Sequence, residues 1–85
     1  MNKDLEMYTR EDCVFCMKAK DVIKNNPDMG FRLTEYDIEK HPAHKDTLKE
    51  RLPDVKTIPQ IWIAGKHIGG YEDLVDYIDE TTSLG

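Results

Sequence analysis

The stretch Tyr8-Thr9-Arg10-Glu11-Asp12-Cys13-Val14-Phe15-Cys16 decides the fold of this chain, because it joins a strand pattern to a helix pattern and carries both cysteines at the junction. Residues 5–9 alternate apolar and polar side chains, as a strand does, and apolar residues recur at helical spacing from Phe15 onward. Cys13 is therefore predicted to lie at the start of a helix. Cys16 should follow about one turn later on the same face, within reach of the first sulfur.

This placement predicts a redox centre with Cys13 as its nucleophile. The unpaired backbone N–H groups and the positive dipole at a helix N-terminus favour a thiolate over a thiol. Neighbouring charges act in both directions: Arg10 and Lys18 should lower the pKa of the Cys13 thiol, whereas Glu11 and Asp12 should raise it. We expect the lowering to prevail.

The size and charge of the chain limit its class. Its 85 residues are enough for one small core, so we expect a single domain over residues 1–85. Hydrophobic residues make up 39% and charged residues 34%, which is typical of a globular protein. The net charge of −5 argues against nucleic-acid binding, because the phosphate backbone selects basic surfaces.

The sequence also predicts a location. Residues 1–6 carry charges where a signal peptide would need an apolar segment. The longest apolar run, residues 61–64, is far shorter than the roughly 20 residues that cross a bilayer. Two closely spaced cysteines without an export signal indicate a reducing cytoplasm, where such a pair is more often catalytic or metal-binding than structural.

Turn residues and periodicity divide the chain into the order βαβαββα around a mixed four-stranded sheet. The predicted elements after the first strand are a helix from about Cys13 to Asn25, a strand over 31–38, a helix from Pro42 to about Leu52, two hairpin strands flanking Ala64-Gly65, and a helix after Gly69-Gly70. Residues 81–85 read as a frayed tail. Strand, helix and strand at the first spacing predict a parallel pair.

The chain resembles the glutaredoxin family, specifically its short bacterial and phage dithiol type, over nearly its whole length. The resemblance lies in four segments: Cys13-Val14-Phe15-Cys16, Lys18-Ala19-Lys20, Thr57-Ile58-Pro59-Gln60-Ile61-Trp62-Ile63 and His67-Ile68-Gly69-Gly70-Tyr71-Glu72-Asp73-Leu74. It implies an α/β, thioredoxin-like fold with four strands and three helices. It also implies a glutathione-dependent thiol-disulfide oxidoreductase, an enzyme that reduces protein disulfides and glutathione mixed disulfides.

The resemblance assigns catalytic roles to Cys13, which attacks, and Cys16, which resolves a protein adduct. The implied glutathione-binding residues are Arg10, Phe15, Thr57, Ile58, Pro59, Gly70, Tyr71, Glu72 and Asp73. Pro59 would be a cis-proline that turns the Ile58 backbone toward glutathione, and Arg10 would face the glycyl carboxylate. Glu72 stands where many relatives have a small hydroxyl residue.

The same resemblance implies the partners. We expect glutathione as co-substrate, disulfide-containing proteins such as ribonucleotide reductase as substrates, and a monomer without nucleic-acid, membrane or metal partners. Val14 replaces a proline common in the family. Because some relatives without that proline hold an iron–sulfur cluster between two subunits, a [2Fe-2S] cluster stays open as an alternative.

Three other readings remain. A thioredoxin-like reductant is disfavoured because Asp12 precedes the cysteine pair and a Gly-Gly-x-x-Asp element is present. A zinc module built from Cys13, Cys16, His41 and His44 has unfavourable spacing. A thioredoxin-fold binding module without turnover conflicts with the retained cysteines.

Large apolar side chains outside these motifs read as packing residues. Trp62 and Tyr36 are predicted to lie in the core or half-buried, given their strand positions. Met7, Met17 and Met29 are interpreted as fillers of core gaps.

Overall fold

Strands and helices follow one another in the predicted order, in a computed structural model that describes residues 3–82. The elements are β1 (Lys3–Thr9), α1 (Val14–Lys24), a 3₁₀ turn (Pro27–Met29), β2 (Phe31–Asp37), α2 (Pro42–Arg51), β3 (Gln60–Ile63), β4 (Lys66–Gly69) and α3 (Tyr71–Thr82). The α/β, thioredoxin-like arrangement predicted from the sequence is confirmed.

The sheet has the strand order β2-β1-β3-β4. β1 and β2 are parallel, as the strand–helix–strand spacing predicts, and the other two pairings are antiparallel. In the β1–β3 pairing Tyr8 lies opposite Gln60. The end of β1, which leads to the cysteines, is therefore beside the start of β3, which follows the Thr57-Ile58-Pro59 segment. The two halves of the predicted site meet because of this one register.

The faces of the sheet carry two apolar clusters, since successive strand residues point to opposite sides. One cluster joins the sheet to α1 and α3 through Leu5, Met7, Ala19, Ile61, Ile63, Leu74 and Ile78. The other consists of Tyr8, Leu48 and Trp62 and joins the sheet to α2. The sheet thus lies between α1 and α3 on one side and α2 on the other.

Trp62 is only 5% exposed, which confirms its predicted packing role, and Tyr36 is half-buried beside the same cluster. The guanidinium carbon of Arg51 lies 4.2 Å from the Trp62 ring centre. Arg51 also donates to the Tyr8 hydroxyl and to Glu6, both at 3.1 Å. Partial burial opposes the charge, but these two hydrogen bonds outweigh it and raise the pKa of Arg51. The contact of the Arg51 guanidinium with the Trp62 ring is a cation–π interaction, and with the two hydrogen bonds it fixes the end of α2 on the sheet.

Two details of the sequence prediction are wrong. Thr81 and Thr82 belong to α3 rather than to a tail, because their hydroxyls donate to the carbonyls of Tyr77 and Ile78 at 2.7 and 2.8 Å; residues 83–85 of that predicted tail lie outside the described residues. Met17 is 61% exposed and fills no core gap, since it lies on the outer face of α1. No helix in residues 3–82 is long and apolar enough to span a membrane.

Candidate functional site

Cys13 is the N-cap residue of α1 and is joined to Cys16 by a disulfide. The Cys16 backbone N–H lies 3.2 Å from Cys13 Sγ and donates to it. Asp12, just before the pair, has φ 56°, a left-handed conformation that an aspartate tolerates better than most residues. Cys13 is 7% exposed and Cys16 1% exposed. The first sulfur therefore has the helix N-terminus behind it and the better access from outside.

Ile58 faces the cysteines from the segment before β3. Its carbonyl oxygen lies 3.7 Å from Cys13 Sγ, and its peptide bond to Pro59 is cis, as the family resemblance implies. A chain in extended conformation that approaches Cys13 can therefore meet main-chain hydrogen-bonding groups at Ile58.

A cleft of about 470 Å³ opens beside this segment. The rings of Phe15 and Tyr71 lie 5.9 Å apart and form an aromatic side of it. The residues that line the cleft are Phe15, Thr57, Ile58, Pro59, Gln60, His67, Gly69, Gly70, Tyr71, Glu72 and Asp73. Eight of the nine residues expected to bind glutathione are thus brought together; the exception is Arg10.

The N-terminus of α3 forms the far end of the cleft. Asp73 accepts a hydrogen bond from the Gly70 backbone N–H at 2.9 Å through Oδ2, which is one half of a capping box. Gly69 has φ 125°, and a Cβ atom there would collide with the Asp73 carboxylate. Glycine is therefore favoured at position 69 by backbone conformation and by the close approach of Asp73. Glu72 is exposed and adds a negative charge to the same end.

The glutaredoxin family model matches residues 5–68 of this chain. The chain belongs to the glutaredoxin family. Glutaredoxin 1 of Escherichia coli is 31% identical over 77 residues, which cover 87% of this chain and 91% of the relative. Glutaredoxin 3 of E. coli is 34% identical over 71 residues, covering 84% and 81%.

The fold comparison agrees with the family. The structure of reduced E. coli glutaredoxin superposes with a TM-score of 0.75 at 29% identity, covering 91% of this chain and 94% of that one. As a glutaredoxin, the chain is a thiol-disulfide oxidoreductase with Cys13 and Cys16 as its redox-active pair.

Arg10 lies in a different groove of this glutaredoxin, between the ends of β1 and β2 and the start of α1. Its neighbours there include Glu11 and Lys40, which form an ion pair at 3.2 Å that raises the pKa of Lys40. Backbone N–H groups of Lys40 and Glu39 donate to Asp37 and lower the pKa of that carboxyl. Arg10 therefore faces a site of mixed charge, and its role toward glutathione stays a prediction.

Sequence reasoning missed Gln60 and His67 as site residues. Gln60 is 9% exposed and donates through Nε2 to the carbonyl oxygen of Thr57, while its Oε1 lies 2.9 Å from His67 Nε2. The available signal was a polar residue that opens an otherwise apolar strand directly after Pro59.

The zinc reading finds no support in the geometry. The disulfide occupies both cysteine sulfurs, and the rings of His41 and His44 pack against each other at 5.3 Å. Residues 3–82 contain no group of three or more His, Cys, Asp or Glu side chains placed to hold a metal ion.

Proposed function

We propose that this glutaredoxin is a glutathione-dependent dithiol enzyme that reduces protein disulfides and glutathione mixed disulfides. The observation that carries the proposal is the position of Ile58: its carbonyl lies 3.7 Å from Cys13 Sγ, and Ile58 also lines the cleft that ends at α3. A cysteine-containing tripeptide bound along Ile58 would present its sulfur to Cys13.

The proposed reaction begins with the reduced pair. The Cys13 thiolate attacks one sulfur of a substrate disulfide, a new S–S bond forms to Cys13, and the other substrate sulfur leaves as a thiolate. The Cys16 N–H that donates to Cys13 Sγ stabilises negative charge on this sulfur. Cys13 is the better placed of the two for this attack, because Cys16 is almost fully buried.

The second half of the cycle uses Cys16 and glutathione. The Cys16 thiolate attacks Cys13 Sγ, expels the substrate thiolate and forms the Cys13–Cys16 disulfide. One glutathione thiolate then attacks Cys13 Sγ and releases Cys16 as a thiolate. A second glutathione thiolate attacks the bound glutathione sulfur, so that oxidised glutathione leaves and Cys13 is again a thiolate.

The cleft offers groups for each part of glutathione. The Ile58 main chain would pair with the cysteinyl backbone, and Thr57 and Pro59 flank it. At the far end the Gly70 segment and the first turn of α3 would hold the γ-glutamyl carboxylate, because a helix N-terminus stabilises an anion. Asp73 Oδ1 can accept from the γ-glutamyl ammonium while Oδ2 holds Gly70. Arg10 would have to reach the glycyl carboxylate from its own groove.

We extend the proposal to partners and location. Disulfide-containing proteins are the substrates, with ribonucleotide reductase a candidate because the short bacterial and phage relatives that the sequence resembles serve it. The enzyme would act as a single-domain monomer in the cytoplasm, where a reducing environment keeps such dithiols available.

A coupled assay tests this function. Reduction of a small glutathione mixed disulfide is followed with glutathione, glutathione reductase and NADPH, and in parallel with thioredoxin reductase in place of the glutathione system. We expect turnover with glutathione only. Cys13→Ser should abolish it, whereas Cys16→Ser should keep reduction of the glutathione adduct and lose reduction of a protein disulfide. Turnover that needs thioredoxin reductase would show a thioredoxin-like reductant instead, and activity that survives Cys13→Ser would exclude Cys13 as nucleophile.

A further inference from the structure

Met17 is the most accessible methionine in residues 3–82. It is 61% exposed on the outer face of α1, whereas Met7 is fully buried and Met29 is half-buried against the apolar cluster that joins the sheet to α1 and α3. Met1 lies outside the described residues. Peroxide oxidises a thioether fastest where the sulfur is open to solvent, so Met17 should react before Met29 and Met7.

Met17 also lies one helical turn from Cys13. Its backbone N–H donates to the Cys13 carbonyl oxygen at 3.1 Å in the first turn of α1. Long side chains on a helix lean toward its N-terminus, over the residues three and four positions earlier, which here are Val14 and Cys13. Val14, Phe15 and Met17 are the large apolar side chains that are exposed in residues 3–82. We call these three residues the apolar rim.

The apolar rim is placed to contact large substrates. A disulfide that reacts must bring one sulfur to bonding distance of Cys13 Sγ, so the polypeptide that carries it must lie on the residues beside Cys13. Apolar side chains next to that disulfide gain free energy by covering the rim. Met17 is not part of the lining of the cleft beside Ile58 and lines instead the separate groove that contains Arg10. A small disulfide should therefore reach Cys13 without covering Met17.

We propose that Met17 is a peroxide-sensitive modification site, and that its conversion to methionine sulfoxide slows the reaction of Cys13 with polypeptide disulfides but not with small ones. The proposal rests on the reduction of protein disulfides set out under the proposed function. A sulfoxide is polar, so it removes apolar contact from the rim. Because Met17 fills no core gap and its groove is lined by charged side chains, the sulfoxide forms without unfolding the chain.

The cysteines set the order of the oxidation steps. In the reduced protein the Cys13 thiolate attacks hydrogen peroxide and becomes a sulfenic acid with release of hydroxide, and the Cys16 thiol then forms the disulfide with release of water. Once the disulfide has formed, no thiolate competes. The Met17 sulfur takes one oxygen atom from hydrogen peroxide and water leaves, so the sulfur loses the two electrons that the peroxide gains. Thiols reverse the disulfide, whereas the sulfoxide needs a methionine sulfoxide reductase.

Peptide mapping tests the modification. The disulfide form is treated with hydrogen peroxide, catalase stops the reaction at intervals, and mass spectrometry measures the sulfoxide at each methionine. We expect Met17 to be oxidised about tenfold faster than Met7, which reacts only when the core opens, and faster than Met29. Equal rates at Met17 and Met7 would overturn the proposal.

Single-turnover kinetics test the consequence. Dithiothreitol reduces the cysteine pair of treated and untreated protein, leaves the sulfoxide in place and is then removed. Each protein is mixed with bis(2-hydroxyethyl) disulfide or with a peptide closed by one disulfide and carrying leucine beside each cysteine, and the second-order rate constant is measured. We expect oxidation to slow the peptide reaction about three- to fivefold, because part of one apolar contact is lost, and to leave the small disulfide unchanged.

Variants assign the effect to one sulfur. Met17→Leu should keep both rates after peroxide treatment, because leucine is apolar and has no thioether. Untreated Met17→Gln should react as slowly with the peptide as the oxidised parent does, and Met29→Leu, the matched control, should stay as sensitive as the parent. A peptide rate that peroxide does not change, an equal loss with both disulfides, or a loss in Met17→Leu as large as in the parent would overturn the proposal. A parent that reacts with the peptide but does not turn over with glutathione would contradict the proposed function alone.

Discussion

Gln60 donates from its side-chain amide both to the carbonyl oxygen of Thr57, at 3.0 Å, and to the Thr57 hydroxyl, at 3.2 Å. Because a carbonyl only accepts, this arrangement fixes the orientation of the amide, and its own oxygen must face His67 Nε2 at 2.9 Å. His67 therefore carries a proton on Nε2. The buried side chain of Gln60, at the start of β3, therefore holds in place the Thr57-Ile58 segment that faces Cys13.

Replacing Gln60 with methionine should loosen this segment. The variant keeps the length of the side chain and removes its hydrogen bonds to the Thr57 carbonyl, to the Thr57 hydroxyl and to His67. Each lost hydrogen bond costs about 1 kcal/mol, so the free energy of unfolding should fall by about 2 to 3 kcal/mol. Urea unfolding measures this loss. We also expect a higher KM for glutathione with a smaller change in kcat, because the segment binds rather than reacts. His67→Ala, which leaves both Thr57 contacts in place, is the control and should change both quantities less; equal effects would contradict the assignment to Gln60.

Replacing Gly69 with alanine should destabilise the chain more than the same change at Gly65. Both glycines have positive φ, at 125° and 81°, so both variants carry backbone strain of about 1 to 2 kcal/mol. A Cβ atom at Gly65 meets nothing within 4 Å, whereas at Gly69 it collides with the Asp73 carboxylate. Thermal unfolding of the two variants compares strain with and without the collision. Adding Asp73→Ala to Gly69→Ala should recover part of the difference, and no recovery would count against the collision.

Replacing Glu72 with serine should improve glutathione binding. Glu72 lines the end of the cleft where the γ-glutamyl carboxylate is proposed to bind, and it is exposed, so removing its charge should lower the KM for glutathione by about two- to fivefold at low salt. Steady-state kinetics at low and high salt measure the effect, which salt should reduce. Asp79→Ser, farther along α3, is the matched control, and an equal change there would indicate a general effect of net charge.

Replacing Asp37 with asparagine should make stability depend less on pH in the acid range. Backbone N–H groups of Lys40 and Glu39 lower the pKa of Asp37 below its ordinary value in the folded chain. A carboxyl with a depressed pKa stabilises the fold above its unfolded value, and that contribution disappears as pH falls through the folded value. The parent should therefore exceed the variant in stability at neutral pH, and the gap should close in acid. Urea unfolding across this range measures the gap; a constant gap would exclude the charge as its cause.

Local patterns were enough to predict the elements but not every contact of the site. Cys13 at the start of α1 and the turn at Ala64-Gly65 depend on neighbours in sequence, so periodicity and turn residues predicted them. The groove that Arg10 lines could not be predicted in this way, because no simple sequence pattern reveals the positive φ of Asp12 in the same loop. The link between Gln60 and His67 depends on the pairing of β3 with β4, where a register shift between Ile61 and Trp62 places His67 opposite Trp62. Cross-strand contacts of this kind require the register.

The single tryptophan of the chain, Trp62, can serve as a fluorescence probe that reports on one side of the sheet. Its indole is packed under Arg51 on the α2 side of the sheet and lies 4.7 Å from the His67 ring, whereas α1 and its cysteines belong to the opposite side. Its fluorescence should follow unfolding of the molecule. Reduction of the disulfide should leave the emission spectrum nearly unchanged, so stability can be compared between oxidised and reduced protein on one common signal.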